Sequence, residues 1–422
     1  MRLPPEGARP AGEPSPPFTR DVAVLGGAGH IGLPLALTFV ACGLSTAIYD
    51  LDERAIEVIR SGRFPFLESG GPEALAAALA SGRLTLSSAP EVLASCRFVV
   101  CTVGTPVDEH LNPRFSAIHR AIDGCGEHLR DGQVFVLRST VFPGLSEQIR
   151  EHFRRRGLAI DVAFCPERVA QGQSLEEFRS LPQLVSAFDQ RTLRDVSALF
   201  ARFTPELIEL APMEAELCKL MTNAWRYLQF AAVNQFYMIA TEHGLDFTRI
   251  LHGCRHHYPR MDGMPGPGLA AGPCLFKDTM QLAAFSHNGF MLGHAAMVVN
   301  EGLPNHLIAL ARERTTLRGR TVGILGMAFK AGSDDPRDSL SYKLRKLLQL
   351  EAGEVLCCDP HVRDTMLVPL AEVLARAEVL FVATPHREYR GLAVPAGRLV
   401  VDVWNCLAGD RVEPAPPEGA PR

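Results

Sequence analysis

The sequence of 422 residues lacks an excess of charge of either sign. Its 43 lysines and arginines stand against 47 aspartates and glutamates, which gives a formal net charge of −4. A chain with this balance has no bulk attraction to nucleic acid or to an anionic membrane surface. We therefore expect no nucleic-acid or membrane partner, and an anionic ligand would need a local cluster of cations.

The eleven cysteines show no repeated spacing and no Cys-x-x-Cys motif. This pattern favours a reducing cytoplasm and mostly buried thiols over a disulfide framework. The proline- and glycine-rich first twenty residues also lack the apolar core of a signal peptide. We expect a cytoplasmic protein with disordered tails at 1–20 and 411–422.

Short apolar runs that stop at glycine or polar residues predict buried parallel strands. Helical patterns separate these runs, and a long pattern over 214–242 without glycine or proline predicts one continuous helix. The fold class predicted is α/β, with two Rossmann-like doubly wound parallel-sheet domains joined by this helix. The strands are predicted at 21–25, 46–50, 98–102 and 134–137, and in the second domain at 321–326, 354–359 and 379–384.

A dinucleotide fingerprint follows the first predicted strand. Gly27 permits a tight turn, Gly29 lets a pyrophosphate approach the backbone, and Gly32 allows the helix to pack on the strand. Asp50 ends the next strand, where its carboxylate would accept a ribose diol and repel a 2′-phosphate, so NAD is favoured over NADP. The predicted cofactor-binding residues are Gly27, Gly29, His30, Ile31, Gly32, Asp50 and Thr105.

Cys274 lies in a glycine-rich segment and is followed closely by Lys277 and Asp278. A nicotinamide enzyme needs no nucleophile to turn an alcohol into a carbonyl. It needs one to carry an aldehyde on to an acid, because the aldehyde must first add a group before a second hydride can leave. The fingerprint and this cysteine together indicate two successive oxidations.

Other motifs have ordinary structural explanations when taken alone. A hydroxyl at Ser139 or Thr140 suits either a nicotinamide contact or the cap of a helix. Glu167, taken alone, is most simply a solvated surface residue. Lys219 and Asn223 share one helix face, but Glu216 three residues before the lysine favours a surface ion pair.

Two cations lie in the second predicted sheet domain, close to the end of a strand. Lys330 and Arg337 are placed where open sheets bind ligands, and the arginine fork suits a phosphate. The alternative is a polar loop before a helix capped by Asp338 or Ser339.

Together these motifs resemble the UDP-glucose/GDP-mannose dehydrogenase family over about residues 20–407, in order and without large gaps. The cysteine motif and the Phe329-Lys330…Ser339 motif are the most specific. The resemblance implies an NAD-binding Rossmann domain, a central helical dimerisation domain and a C-terminal UDP-sugar-binding α/β domain, which we predict at 21–208, 209–310 and 311–410.

The resemblance also implies the reaction, in which two NAD⁺ oxidise a sugar C6 alcohol to a carboxylate in a homodimer or larger homo-oligomer. The sulfur of Cys274 would form a thiohemiacetal and then a thioester. The catalytic residues implied are Cys274, Lys219, Asn223, Asp278, Glu167 and Thr140, and the substrate-binding residues are Arg260, Lys277, Lys330 and Arg337. No metal is expected.

The sequence departs from the family pattern at a few positions. Gln171 stands where family members acting on UDP-glucose have an acid, which favours an N-acetylhexosamine substrate. Ala271 and Pro273 alter the loop before the cysteine. Two alternatives remain open: a two-electron β-hydroxyacid-type dehydrogenase, which would not need Cys274 or the C-terminal domain, and a non-catalytic nucleotide-sugar-binding homologue.

Overall fold

The computed structural model describes residues 17–105, 116–269, 272 and 274–407. These residues form two compact units, the first made of 17–105 with 116–216 and the second of 217–407. The predicted tails lie outside the described residues, apart from 17–20. None of the helices in the described ranges is long and apolar enough to cross a membrane.

The first unit is built on an eight-stranded sheet whose order is β3-β2-β1-β4-β5-β6-β7-β8. The first six strands run parallel in the arrangement of a dinucleotide-binding fold. The strands are β1 (Arg20–Leu25), β2 (Thr46–Tyr49), β3 (Leu84–Ser87), β4 (Cys96–Cys101), β5 (Val134–Leu137), β6 (Asp161–Phe164), β7 (Gln183–Ala187) and β8 (Leu207–Glu209).

Alternate side chains of each central strand enter different apolar layers. In β1, Val22 and Val24 pack into one core cluster, whereas Ala23 and Leu25 pack into another on the opposite face. Because both faces of the sheet are covered, the strands contain continuous apolar runs rather than an alternating pattern. This is the physical reason that the short runs in the sequence predicted parallel strands correctly.

In the described part of the first unit, seven α-helices accompany this sheet. They are α1 (Gly32–Ala41), α2 (Glu53–Arg60), α3 (Gly71–Ala80), α4 (Ser116–Cys125), α5 (Leu145–Arg155), α6 (Ser174–Ser180) and α7 (Gln190–Phe200). Two features of the sheet were not predicted. The strands β3, β6, β7 and β8 are not among the predicted strands, and β7 pairs antiparallel with β6, so the last two strands reverse the direction of the other six.

The predicted long helix is α8 (Pro212–Glu242), which has 31 residues and begins two residues before the predicted start. The second unit then contains α9 (Phe247–Arg255), α10 (Leu275–Phe285) and α11 (Met291–Arg314). Asn234 of α8 is fully buried, and its side chain donates to Asn300 of α11 at 2.9 Å. This bond between two buried amides ties α8 to α11.

The second unit ends in a four-stranded parallel sheet of order β10-β9-β11-β12. Its elements are β9 (Thr321–Leu325), α12 (Leu340–Gln349), β10 (Glu354–Cys358), α13 (Leu370–Arg376), β11 (Val379–Val382) and β12 (Leu399–Val401). The chain reverses its direction of progress across the sheet at β9, and ligands of open sheets bind at such a point, beyond the carboxyl ends of the strands. The predicted fold class is confirmed.

Candidate active site

The fingerprint turn lies between β1 and α1, and Asp50 closes it from the end of β2. One carboxylate oxygen of Asp50 accepts the backbone N–H of Ala28 at 2.9 Å, and the other accepts that of Asp52 at 3.1 Å. A carboxylate has about four acceptor sites, so two remain for hydroxyl groups such as those of a ribose. The donor set at this turn therefore fits the predicted dinucleotide.

The three fingerprint glycines differ in the space around them. A Cβ on Gly32 would lie 2.5 Å from the carbonyl oxygen of Gly26, and one on Gly27 would lie 2.7 Å from that of Val24. A Cβ on Gly29 would meet no atom closer than 3.8 Å. Gly27 and Gly32 are thus required by packing, whereas Gly29 borders the open space that a pyrophosphate would use.

The neighbouring residues of the turn are ordered by contacts within the first unit. The ring of His30 stacks on that of Phe66, with ring centroids 4.1 Å apart. Ile31 is the residue at the N-terminal boundary of α1 and provides no side-chain cap. An anion-binding turn requires that the first backbone N–H groups of the helix are not bound by a side-chain cap, and Ile31 meets this requirement.

Two predicted residues meet at the ends of the adjacent strands β4 and β5. The hydroxyl of Thr105 donates to the backbone oxygen of Thr140 at 2.6 Å. The alternative that Ser139 or Thr140 caps a helix is wrong, because α5 begins only at Leu145 and its first residues are bound by another side chain.

That side chain is Glu216, and the expectation of a surface ion pair between Glu216 and Lys219 is wrong. Glu216 is 1% exposed, and its carboxylate accepts the backbone N–H of Gly144 and both the N–H and the hydroxyl of Ser146. Burial raises the pKa of Glu216, and these hydrogen bonds oppose the rise. Glu216 is therefore a buried cap of α5.

Glu167 is also buried rather than solvated, and it is held by a residue that the sequence analysis missed. Arg138, which is 1% exposed and follows β5, lies 2.7 Å from a carboxylate oxygen of Glu167. Its guanidinium also donates to the backbone oxygen of Cys165 at 3.0 Å. The only signal in the sequence was a cation directly before Ser139, which does not by itself distinguish a buried arginine from an exposed one.

The second unit brings four predicted catalytic residues together where α8 packs against α10. The side-chain amide of Asn223 donates to Asp278 at 2.6 Å, and the ammonium of Lys277 lies 3.2 Å from the other oxygen of that carboxylate. Asp278 is fully buried, and Lys219 and Asn223 are 7% and 5% exposed. We call Lys219, Asn223, Cys274, Lys277 and Asp278 the cysteine cluster.

Cys274 is the exposed member of the cysteine cluster, whereas the other ten cysteines are buried or half-buried. It lies at the N-terminal boundary of α10. Desolvation of the sulfur by surrounding atoms raises the pKa of the Cys274 thiol, and the Asp278 carboxylate raises it further. Lys277, Lys219 and Arg337 act in the opposite direction. The reactivity of this thiol therefore depends on the neighbouring cations, which oppose the desolvation of the sulfur.

The described part of the loop before Cys274 is fixed at two glycines. Gly268 donates its N–H to the Asn234 side chain at 2.8 Å and accepts from it at 3.0 Å. Gly272 has φ +108°, and a Cβ there would lie 2.4 Å from the ring of Phe329. Glycine at 272 is therefore required both by the backbone and by Phe329. The altered positions Ala271 and Pro273 lie outside the described residues.

The predicted substrate-binding cations differ in their surroundings. Arg337 grips Asp335 through two nitrogens, with its Nη2 2.6 Å from the carboxylate, although its side chain remains 59% exposed. The ammonium of Lys330 lies 5.9 Å from the ring centroid of Phe329. The Arg260 guanidinium lies 5.7 Å from the ring centroid of Tyr258. The predicted alternative of a helix cap also holds, because Ser339 accepts the N–H at position 341.

A second acidic side chain, Asp359, follows β10 and was not predicted. It accepts the N–H groups of Met327 and Ala328 after β9, as Asp50 does for the fingerprint turn, and it also pairs with His386 at 3.0 Å. Burial disfavours the charged form, but the hydrogen bonds led by that of His386 outweigh it and lower the pKa of Asp359 well below its usual range. The neighbouring His361, with His386 and Glu388, has metal-ligand spacing.

The chain matches all three domains of the UDP-glucose/GDP-mannose dehydrogenase family. The family's NAD binding domain matches residues 20–204, its central domain 213–301 and its UDP binding domain 323–409. These matches cover most of the chain, and the chain therefore belongs to this family. It is an enzyme of the NAD-dependent nucleotide-sugar dehydrogenase class, and the predicted family and cofactor are confirmed.

Among curated relatives, the UDP-N-acetyl-D-mannosamine dehydrogenase of Pyrococcus horikoshii is 29% identical over 88% of this chain and 90% of its own length. The NDP-N-acetyl-D-galactosaminuronic acid dehydrogenase of Ralstonia nicotianae is 26% identical over 93% of this chain and 97% of its own. A solved UDP-glucose dehydrogenase from Pyrobaculum islandicum superposes with a TM-score of 0.85 at 28% identity, covering 97% of this chain and 100% of that one.

The glycine geometry predicts opposite outcomes for two alanine substitutions. Gly32→Ala places a Cβ against backbone atoms that cannot move aside, and we expect it to destabilise the protein by about 1–3 kcal/mol. Gly29→Ala has room in the folded chain, so we expect an unchanged melting temperature but weaker NAD binding, because the methyl group occupies the path of the pyrophosphate. Thermal unfolding and NAD titration of both variants check this. Normal NAD affinity in Gly29→Ala would contradict the placement of the pyrophosphate.

The charges around Cys274 predict how its reactivity changes with pH. The pKa of the wild-type thiol is raised, so its alkylation by iodoacetamide should reach half-maximal rate at a higher pH than that of an ordinary cysteine. Lys219→Met removes a cation and should move this midpoint higher, whereas Asp278→Asn removes an anion and should move it lower. Lys346→Met, an exposed lysine of α12, is the control and should leave it unchanged. The reverse order for the two cluster variants would show that these charges do not act on the sulfur.

Proposed function

We propose that this enzyme oxidises the C6 alcohol of a UDP-linked sugar to a uronic acid in two steps, through a covalent bond to Cys274. The observation that carries the proposal is the exposed thiol beside two buried partners, Asn223 and Asp278, and near two lysines. A single oxidation to the aldehyde needs no such thiol, whereas oxidation of the aldehyde to an acid does.

The fingerprint turn, with Gly29 and Asp50, would hold NAD⁺, which would supply the hydride acceptor for each of the two oxidations. Between the two steps, the sulfur of Cys274 adds to the aldehyde carbon and forms a thiohemiacetal, which becomes a thioester after the second hydride has left. Water then releases the acid and restores the thiol. Lys219 and Lys277 favour the thiolate that this addition requires.

Asn223 and Asp278 are placed to orient the reacting oxygen atoms and to transfer protons in these steps. The carboxylate of Asp278 is oriented by the amide of Asn223 and charge-balanced by Lys277. Held in this way, it is suited to accept a proton from the attacking water. Lys219 carries a buried positive charge that would stabilise an alkoxide oxygen. Thr140 and Glu167, which belong to the first unit, remain predicted participants beside the cofactor and in proton transfer.

The UDP group of the substrate is assigned to the C-terminal sheet, with Lys330 and Arg337 as predicted contacts and Arg260 and Lys277 as further substrate-binding residues. Lys330 and Arg337 follow β9, the strand at which the sheet order reverses. We retain three domains at 21–208, 209–310 and 311–410 as part of the proposal. The position of Lys330 and Arg337 at the C-terminal sheet supports the assignment of the UDP group to that sheet, because the forked guanidinium of an arginine suits phosphate oxygens.

For the sugar, we propose an N-acetylated hexose. Gln171, in the loop after β6, gives this chain a neutral amide where a UDP-glucose enzyme would have an acid. The P. horikoshii and R. nicotianae relatives are both named for N-acetylated sugars. Initial rates with UDP-glucose, UDP-N-acetylglucosamine, UDP-N-acetylmannosamine and GDP-mannose distinguish the substrates, and UDP-glucose as the best of the four would overturn this assignment.

The yield of NADH tests the two-step reaction. Wild-type enzyme with limiting sugar nucleotide should give two NADH per sugar, read at the NADH absorbance band. Cys274→Ser should lose acid formation, because a serine hydroxyl is a far weaker nucleophile than a thiolate at neutral pH. Cys254→Ser, a half-buried cysteine of α9, is the matched control and should behave as wild type. One NADH per sugar in the wild type would mean a two-electron dehydrogenase.

We also propose that the enzyme is a homodimer or larger homo-oligomer assembled through α8. Met221, Trp225, Phe236 and Ile239 are all exposed on this helix, with Trp225 at 62%. Their spacing forms one apolar stripe along the helix, and a second copy of this chain is the partner that we propose for it.

Substitution at this stripe tests the assembly. Trp225→Glu places a charge in the proposed interface and should shift the sedimentation coefficient to that of a monomer. Leu350→Glu is the control, since Leu350 is 82% exposed but lies after α12. A wild-type protein that sediments as a monomer at micromolar concentration would refute the oligomer.

A further inference from the structure

Gln281 of α10 has a side chain that is fully buried and yet unpartnered. It is 0% exposed, and neither the oxygen nor the nitrogen of its amide has a hydrogen-bond partner among the described residues. Buried amides in folded proteins are almost always satisfied by protein groups or by ordered water, because an unsatisfied one is strongly unfavourable. The presence of an amide at this buried position therefore indicates that its polar atoms have a function.

The position of Gln281 on α10 is the first indication of that use. It follows Asp278 by three residues and Cys274 by seven, so the three lie along one face of the helix. Among the described residues, the Asp278 oxygen nearest Lys277 also makes no hydrogen bond, and it lies 3.2 Å from the Lys277 ammonium. Asp278 and Gln281, which are neighbours on this face, thus both have buried polar atoms without a hydrogen-bond partner among the described residues.

Contacts between α8 and α10 give the second indication. At the start of α10, Leu275 packs in one cluster with Tyr227, and toward its end Leu282 packs with Leu220. Residue numbers therefore decrease along α8 as they increase along α10, and the helices run antiparallel. Gln281 consequently lies beside the turn of α8 that carries Lys219.

Lys219 supplies a cation on that turn of α8. The residue is 7% exposed, and within the described ranges its ammonium makes no hydrogen bond and no ion pair with a carboxylate, which leaves its three donors for water. The amide oxygen of Gln281 is an acceptor and its nitrogen a donor, a combination that suits a position between a cation and an anion.

We propose that Gln281 is a positioning residue, whose amide holds one ordered water that connects the Lys219 ammonium to the Asp278 carboxylate. Within the described residues the amide makes no direct hydrogen bond to either group, so a bridging water is the link between them. The inference rests on the proposed function, because it assigns to this water the task of orienting the two groups that handle the reacting oxygen and its proton.

Gln281→Met tests the proposal because methionine has nearly the same length but no hydrogen-bonding group of comparable strength. We expect kcat to fall about tenfold, less than the hundred- to thousandfold loss seen when a direct oxyanion donor is removed, while KM stays within about twofold. Gln281→Asn retains the amide and should recover part of kcat. Gln349→Met, at the exposed end of α12, is the matched control and should not change either constant.

Unchanged kcat in Gln281→Met would overturn the proposal, and so would an equal loss of kcat in Gln281→Asn and Gln281→Met. A high-resolution crystal structure of the wild-type protein provides a readout independent of activity. We expect a water within hydrogen-bond distance of Gln281, Lys219 and Asp278, and a dry contact there would also overturn the proposal. The NADH yield of the wild type tests the overall reaction separately, so the two failures are distinguishable.

Discussion

The hydrogen bond from Asn223 to Asp278 ties the long helix α8 to the first turn of α10, and Cys274 lies at the N-terminal boundary of that turn. Both partners are buried, so breaking the bond would leave a carboxylate without its amide donor in a region of low water content. The same contact keeps Lys219 and the cysteine on facing parts of the two helices. The position of the thiol is therefore fixed by the packing of two helices, with the described part of its loop anchored separately at Gly268 and Gly272.

The two sheets use one device for different ligands. In each, an acid at the end of the strand beside the central one accepts backbone N–H groups from the turn after the central strand. Asp50 accepts one N–H of that turn and one N–H of its own loop, and it keeps acceptor capacity for a ribose. Asp359 accepts from four backbone N–H groups and from His386, so its carboxylate is saturated. This difference explains physically why Asp50, and not Asp359, has acceptor capacity left for a dinucleotide.

The same saturation applies to the histidine beside Asp359. The Nδ1 of His386 accepts the backbone N–H of Gly332 at 3.3 Å, and its Nε2 faces the carboxylate. Both ring nitrogens are thus engaged, although the histidine belongs to a cluster with metal-ligand spacing. These contacts of His386 explain the cluster of His361, His386 and Glu388 as structural support for the edge of the sheet.

Much of the fold was predictable from the sequence, because strands buried on both faces leave continuous apolar runs and α8 has no internal glycine or proline. The cysteine cluster was predicted through the family resemblance, whereas the spacing on α8 taken alone had favoured a surface ion pair between Glu216 and Lys219. The roles of Arg138, Glu216 and Gln281 were not predictable. Each depends on burial by partners distant in sequence, as in the 70 residues between Ser146 and Glu216. A local rule that assigns charged and polar residues to the surface fails at such positions.

Mass spectrometry of the enzyme quenched during turnover tests the central claim most directly, because it detects the bond between sulfur and sugar carbon itself. With NAD and a turned-over UDP-sugar, peptide mapping should locate a sugar-nucleotide adduct on the peptide that contains Cys274. The adduct should be absent from Cys274→Ser and from samples without NAD. Formation of the acid with no adduct at Cys274, or with the adduct on a different cysteine, would contradict the covalent mechanism.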